Sequence, residues 1–519
     1  MQVLRHLIGT PDRQREGIGG RRTSTHRDVA PARSPQVLAC VCVCTVLVVG
    51  FVAAINLAVP ALAASSLHPS ASELLWVVDA YVILFACLVI PAGALGDRIG
   101  RKGVLITGMM VFAIGAVVSA AAGDVVTMLI GRVITGIGAA CVLPNALAVL
   151  IHATEPARRP RAIAIWAACS GIGGVVGNVG GGAILTVGSW RWLFVAVVPV
   201  AVLGGIWVAL GAPRSSRHDR SVGVSAAILL TAATLALLLG ITWGPESGWS
   251  SGLVVGAFVA AVVLLSAWAF IELGARHPML DPRLFAIPGL RAASLGMFIT
   301  FFGMFGFFFL NASLMQYGRG FTVLQAGLGV LPMVVPMIVG TRHVPALVTR
   351  LGERSVIAVA FTAIAVGLFG LSVALHQGYG IYAIWLVVAG VGVTLALPTL
   401  TTVIAGALPR EQAGVAGGLQ ATTRELGSAL GVAVIGTLLT SGLVSRLAQR
   451  LSISGSGGTP HTVAEALAVA PGDHALVIGA YTESAAGALK VVALVVAVVG
   501  TLITVEMAWA ARRQTVIAC

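Results

Sequence analysis

Charge is what this sequence has least of. Asp, Glu, Lys and Arg make up 10% of its 519 residues, where a soluble chain carries roughly a quarter. Apolar residues reach 58% and gather in runs of about 20, the length that crosses a hydrocarbon layer as a helix. The runs lack the two-residue alternation of a barrel strand, and away from water only helices or closed barrels satisfy every peptide group. A soluble multidomain chain is excluded, and the class is an all-α integral membrane protein.

Cysteine is sparse as well. Cys40, Cys42, Cys44, Cys87, Cys141 and Cys169 sit in apolar runs and Cys519 is the last residue, so no disulfide framework is expected. Val37-Leu38-Ala39-Cys40 has the outline of a lipoprotein cleavage box. Its apolar stretch follows the cysteine, however, which argues against lipoprotein processing and against a cleaved signal peptide. There is no phosphate-binding loop, no His/Cys/Glu spacing for a metal and no nucleophile constellation, so neither metal, cofactor nor enzymatic chemistry is expected. Gly136-x-Gly138 follows no strand and reads as helix packing rather than a nucleotide site.

What charge there is has a pattern. The net charge of +13 raises the question of a nucleic-acid partner, and the placement of the basic residues answers it. With the N-terminus inside, 25 of the 32 Lys and Arg fall on the inner side, and Arg191, Arg319, Arg446 and Arg450 on the outer. Arg132, Arg424 and Lys490 lie within spans. This bias is the positive-inside rule, so the basicity reports topology and no nucleic acid.

Fourteen spans are expected, near 36–62, 73–96, 103–122, 125–152, 162–187, 192–211, 223–243, 251–273, 290–316, 322–341, 355–376, 379–408, 414–442 and 478–510. A disordered basic tail at 1–35 precedes them, a flexible outer loop fills 447–476, and a short inner tail spans 511–519. The chain also repeats itself. Arg98, Gly100 and Lys102 recur as Arg350, Gly352 and Arg354 at an offset of 252. Gly136, Gly138 and Pro144 recur as Gly390, Gly392 and Pro398 at 254, and Gly173 and Gly177 recur as Gly427 and Gly431 at the same offset. Transporters are commonly built from such repeats. The expected organisation is a six-helix half at 36–211, an inserted helix pair with its loops at 212–289, and a second six-helix half at 290–510.

Four segments carry a family resemblance. Gly93-Ala94-Leu95-Gly96-Asp97-Arg98-Ile99-Gly100-Arg101-Lys102 resembles the major facilitator superfamily signature between spans 2 and 3. Arg132-Val133-Ile134-Thr135-Gly136-Ile137-Gly138 resembles its span 4 motif, with Thr135 where Gln is usual. Gly173-x-x-x-Gly177-Asn178-Val179-Gly180-Gly181-Gly182 resembles the span 5 antiporter motif, with Asn178 in place of Pro. Ser189-Trp190-Arg191-Trp192-Leu193-Phe194 is similar to the segment that follows it in the fourteen-helix drug:proton antiporter group. The resemblance implies a major facilitator fold and proton-coupled export. One position departs: Asn56, Ala58 and Pro60 keep the span 1 turn, but Phe51 stands where that group carries Asp.

Read as physics, these residues divide into three sets. Asp97, Arg98, Gly100, Arg101 and Lys102 form a tight turn in which a carboxylate can reach a helix N-terminus and cations can pair with acids. Arg101 and Lys102 also satisfy the positive-inside rule, whereas an acid gains nothing from it, so Asp97 is the expected gating residue. Gly173, Gly177, Gly180, Gly181 and Gly182 lay a bare stripe on span 5 for a close helix partner, and Asn178 is expected to need a partner beside that seam. The third set is charge inside spans, which marks substrate or proton pathways. Asp79 and Arg132 sit at similar depth and are expected to pair, with Asp79 replacing the missing span 1 acid.

Arg424 and Glu425 are neighbours pointing about 100° apart, so no mutual salt bridge is expected. Glu425 is read either as a second protonatable carboxylate or as a counter-ion to a neighbouring helix. Gln420, Arg424, Gly427 and Gly431 share a stripe assigned to the cavity, as is Asn56. Glu272, Glu483 and Glu506 are expected to meet headgroups or water. Together these features imply a secondary active exporter of amphipathic small molecules, proton-driven and monomeric, in a bacterial-type inner membrane amid lipid with both termini cytoplasmic. The alternatives are an uncoupled or importing facilitator of a small metabolite, and a non-transporting membrane sensor.

Overall fold

The computed structural model describes residues 34–518, apart from 64, 68, 70, 214–222, 277, 409–412 and 452–472. All but the end of the expected 1–35 tail, most of the expected outer loop, and Arg214, Arg217, Arg220 and Arg410 lie outside the described residues. Among the described residues, fourteen helical spans are long and apolar enough to cross a membrane. The first eight are α1 (Ser34–Ala63), α2 (Ala71–Ile99), α3 (Arg101–Ala120), α4 (Val125–Ala153), α5 (Arg159–Val187), α6 (Arg191–Gly211), α7 (Val224–Ser247) and α8 (Gly252–Gly274).

Then follow α9 (Pro288–Ser313) and a broken span made of α10 (Val323–Leu328), α11 (Leu331–Gly340) and α12 (Val344–Leu351). The remaining helices are α13 (Glu353–Ala374), α14 (Tyr379–Ala407), α15 (Ala413–Leu451) and α16 (His474–Ala518). Two helices run past the spans expected of them, although the last candidate membrane span itself ends at Trp509. The thirteenth span runs on to Leu451, into the stretch expected as loop, and the last helix continues to Ala518, through the expected tail. The tenth breaks where prolines, whose missing N–H leaves a gap in the helix ladder, enter the first turns of α11 and α12.

The helix ends account for several charges. Asp124 caps α4 by accepting the Thr127 N–H at 2.8 Å. At C-termini, where carbonyls lack intrahelical partners and carry partial negative charge, cations arrive from other elements. Lys102 Nζ donates to the Ala212 carbonyl after α6 at 2.7 Å, and Arg159 to Ile151 and Thr154 at the end of α4. Arg191 donates to Ala122 after α3 at 2.7 Å, and Arg319 to Ala374, Leu375 and Gln377 at the end of α13. Two of the four arginines on the side expected to be poor in cations are therefore helix caps.

The halves are α1–α6 and α9–α16. In the first, α1 packs on α5, α3 on α4 and α6, and α2 on α4; in the second, α9 packs on α15, α13 on α14 and α16, and α11 on α14. The repeat is visible in their closest contacts. A side chain at Gly136 would meet the Tyr81 carbonyl, and one at Gly390 would meet Met333, 252 residues further on. Gly138 abuts Phe112 and Gly392 abuts Ile364; Gly177 abuts Gly50 and Gly431 abuts Phe302. The turns match as well: Gly100 (φ 118°) and Gly352 (φ 79°) both take the positive φ that side chains resist.

Between the halves, α2 and α4 lean on α15, while α5 leans on α14. The inserted α7 lies over the α2–α15 seam, with α8 outside it. Pro91 leaves the Cys87 carbonyl of α2 without its helical donor, and Thr231 of α7 donates to that oxygen at 3.4 Å. At the other end of α7, Trp249 Nε1 donates to Thr437 of α15 at 3.1 Å.

Candidate functional site

Three clusters occupy the places the sequence singles out. The first is the end of α2. Asp97 Oδ1 accepts Arg101 Nε at 2.7 Å, and its Oδ2 accepts the backbone N–H of Val415 at 3.2 Å. Val415 is in the first turn of α15, where N–H groups lack helical acceptors. One buried carboxylate thus closes its own turn and caps a helix of the other half. Arg98 is exposed, and Lys102 serves the end of α6.

Beneath this contact the backbones nearly touch. A Cβ at Gly417 would lie 2.8 Å from the Pro144 carbonyl, and one at Gly418 would lie 2.7 Å from the Ile90 Cα. Asn145, which the sequence reading missed, is fully buried and donates to Ala92 at 3.2 Å and Cys141 at 2.9 Å. Gly96 leaves room for its amide. The available signal was a polar residue directly after a helix proline.

The second cluster lies deeper and corrects two expectations. Arg132 is fully buried, and among the described residues it makes no ion pair with Asp79. Its Nε donates to the Val77 carbonyl at 2.7 Å, with Nη2 at 3.4 Å from that of Val78. The guanidinium lies over the rings of Phe51 at 5.2 Å and Tyr81 at 4.7 Å. A guanidinium stacks on aromatic faces while keeping its in-plane donors; here the rings aim those donors at α2 carbonyls instead of a carboxylate. Asp79 is half-buried and contributes to the field at Arg132. Phe51 is 2% exposed, set against Phe112 and Phe194 at 5.4 and 5.5 Å.

Further along α2, Tyr81 stacks on Phe85, and the Arg424 guanidinium lies 5.7 Å from both Phe85 and Phe301. Contrary to expectation, Arg424 pairs with Glu425, through Nη2 at 2.8 Å and Nε at 2.9 Å, both side chains being nearly buried. Backbone directions 100° apart do not prevent this. The Arg side chain is long enough to fold back, and an unpaired charge among rings is costly. Gln420 is buried and donates to Thr401 at 3.0 Å. Gly427 and Gly431 press on the α9 backbone, so the stripe assigned to the cavity is packed at both glycines. The aromatic ladder of Phe51, Tyr81, Phe85 and Phe301 went unread, although Tyr81 and Phe85 stand one helical turn apart.

The third cluster is the α1–α5 seam. Gly173 meets Val46 and Val49, Gly177 meets Gly50, and Gly181 meets Ala54. Gly180 faces open space and Asn178 is exposed, one position off the stripe and away from the seam it was expected to join. Asn56 is exposed on α1. Of the three acids expected at headgroups or water, Glu272 is instead buried beside the Met279–Leu280 backbone. Glu483 pairs with Arg446 at 3.3 Å and Glu506 pairs with Arg291.

Two related six-helix halves with charge buried between them define a polytopic membrane protein of the transporter class. Comparison with known proteins gives the family. Residues 41–432 match the family model of the Major Facilitator Superfamily, and the chain belongs to that family. It is 31% identical to the tetracenomycin C resistance and export protein of Streptomyces glaucescens, covering 72% of this chain and 70% of that protein. It is 30% identical to the methylenomycin A resistance protein of Streptomyces coelicolor, covering 72% and 80%. Against the cephamycin export protein of Amycolatopsis lactamdurans the identity is 31%, over 82% and 88%. The human organic anion transporter MFSD10 shares the fold at 15% identity and a TM-score of 0.61, over 91% of this chain and 99% of that one.

Proposed function

We propose that this protein exports amphipathic small molecules, antibiotics among them, in exchange for protons by alternating access. The observation that carries the reading is Asp97. A single carboxylate joins Arg101 of its own half to the N-terminus of α15 in the other, and such a contact must part if the halves rock open at that end. The relatives named for antibiotic resistance and export support the direction and the substrate class. On this reading the Asp97 end and both termini are cytoplasmic, in a bacterial cell membrane, and the working unit is a monomer.

Coupling rests on Glu425, with Asp79 and Arg132 in support. Phe51 removes the span 1 acid and Arg132 stacks on its ring, while the Arg424–Glu425 ion pair borders the aromatic ladder and brings a carboxylate to it. Protonating Glu425 releases Arg424 from its partner, and a guanidinium without a counter-charge is drawn toward water or substrate. The buried Phe51 also favours a second reading, an uncoupled facilitator.

Reconstitution in liposomes separates the two. An imposed pH gradient is expected to drive accumulation of amphipathic antibiotics or dyes by the wild-type protein, and the drive is expected to vanish in Glu425→Gln. Flux that ignores the gradient supports the facilitator, and no flux with any member of a broad panel overturns both.

A further inference from the structure

A pair of thiols extends the α1–α5 seam. Cys42 of α1 and Cys169 of α5 lie on facing turns of that seam. Cys169 stands one turn before Gly173, and Cys42 two turns before Gly50, so the contacts between Gly173, Gly177 and the α1 backbone fix a register in which the two cysteines face one another. Beside them Trp166 Nε1 donates to Thr45 Oγ1 at 2.8 Å, a second lock on the same stretch of seam. Both thiols are half-buried and so remain open to a small reagent, whereas Cys40 and Cys44 on α1 are buried. Cys40 already donates to the Val37 carbonyl at 3.2 Å.

We propose that Cys42 and Cys169 form a dithiol site for a monosubstituted trivalent arsenical. Thiolates are the soft ligands that thiophilic centres select. Two features of the place choose among such centres. The two thiols stand side by side on facing helix turns, which suits the bent S–As–S angle and opposes a linear two-coordinate cation, whose ligands stand on opposite sides. The surroundings are apolar, which favours a product without net charge. A monovalent cation between two thiolates leaves a negative charge in hydrocarbon, and an arsenical dithiolate leaves none. In the reaction each thiol gives up its proton, two As–S bonds form, the As–O bonds of the arsenoxide break and the oxygen leaves as water, with no change of oxidation state. The adduct staples α1 to α5 in the first half.

The test uses the full chain in lipid nanodiscs with phenylarsine oxide as probe. One equivalent is expected to add by intact mass and to block alkylation of Cys42 and Cys169 together, with release by excess 1,2-ethanedithiol. Retention is expected to fall at least tenfold in Cys42→Ala and in Cys169→Ala and to persist in Cys40→Ala/Cys44→Ala. The alkylation footprint of the wild-type protein reads the site even where a variant fails to fold. Absence of an adduct, unchanged retention in a folded Cys42→Ala, or a footprint on Cys40 and Cys44 overturns the proposal.

Discussion

Asp97 gives each carboxylate oxygen to a different helix, and that division makes it the most consequential single residue. Asp97→Asn keeps the shape and removes the charge. A hydrogen bond to a charged group contributes about 1.5–3 kcal/mol net, so losing one shifts the balance between closed and parted halves by roughly 10–100-fold. Spin labels at the exposed Arg158 and Glu353, one in each half, are expected to report longer distances in the variant; an unchanged distribution contradicts the latch. Asp97 was legible because an acid in a basic turn has no topological reason to be there. The site of Arg132 was not. A depth argument places Asp79 beside it but is blind to the rings of Phe51 and Tyr81, which orient the guanidinium toward backbone. Likewise a helical wheel separates Arg424 from Glu425, while side-chain length and the cost of unpaired buried charge bring them together.

At the scale of elements, helix association in a bilayer depends on close backbone approach rather than on apolar area. Gly177 and Gly180 test this on one helix. A methyl at Gly177 runs into the Gly50 carbonyl, and one at Gly180 meets nothing within 4 Å. Gly177→Ala is expected to destabilise by about 1–3 kcal/mol, the usual cost of overpacking, and Gly180→Ala by less than about 0.5 kcal/mol, as read by thermal unfolding in detergent. Equal effects contradict the seam. The seam was half legible, because spacing finds a glycine stripe but does not tell which glycines the partner covers. The repeat was legible in full, since close contacts tolerate few residues and so keep their spacing in both halves. Helix caps add a pH dependence. The Thr127 N–H and hydroxyl hold the Asp124 carboxyl below its ordinary value, so its capping is present at neutral pH and is lost as pH falls through that lowered value. Amide exchange at Thr127 is expected to quicken there in the wild-type protein and to be pH-independent of this group in Asp124→Ala.

Across the whole molecule, the halves meet along α2 with α15, and the inserted α7 reaches both through Thr231 and Trp249. Composition and run length made the fourteen spans legible, and the internal repeat made their two-halved order legible. The seat of the inserted pair was not, because its helices are apolar all round and carry no stripe that names a neighbour. The proposed exchange moves substrate against protons through a coupling carboxylate outside span 1. Liposomes loaded with a pH-sensitive dye test it most directly, by recording the lumen when an amphipathic antibiotic is added outside without an imposed gradient. Substrate entry is expected to carry protons out and raise the internal pH in the wild-type protein, and to leave it unmoved in Glu425→Gln while antibiotic binding survives. Substrate uptake by the wild-type protein with no change in internal pH, or an undiminished change in Glu425→Gln, would contradict proton exchange through Glu425.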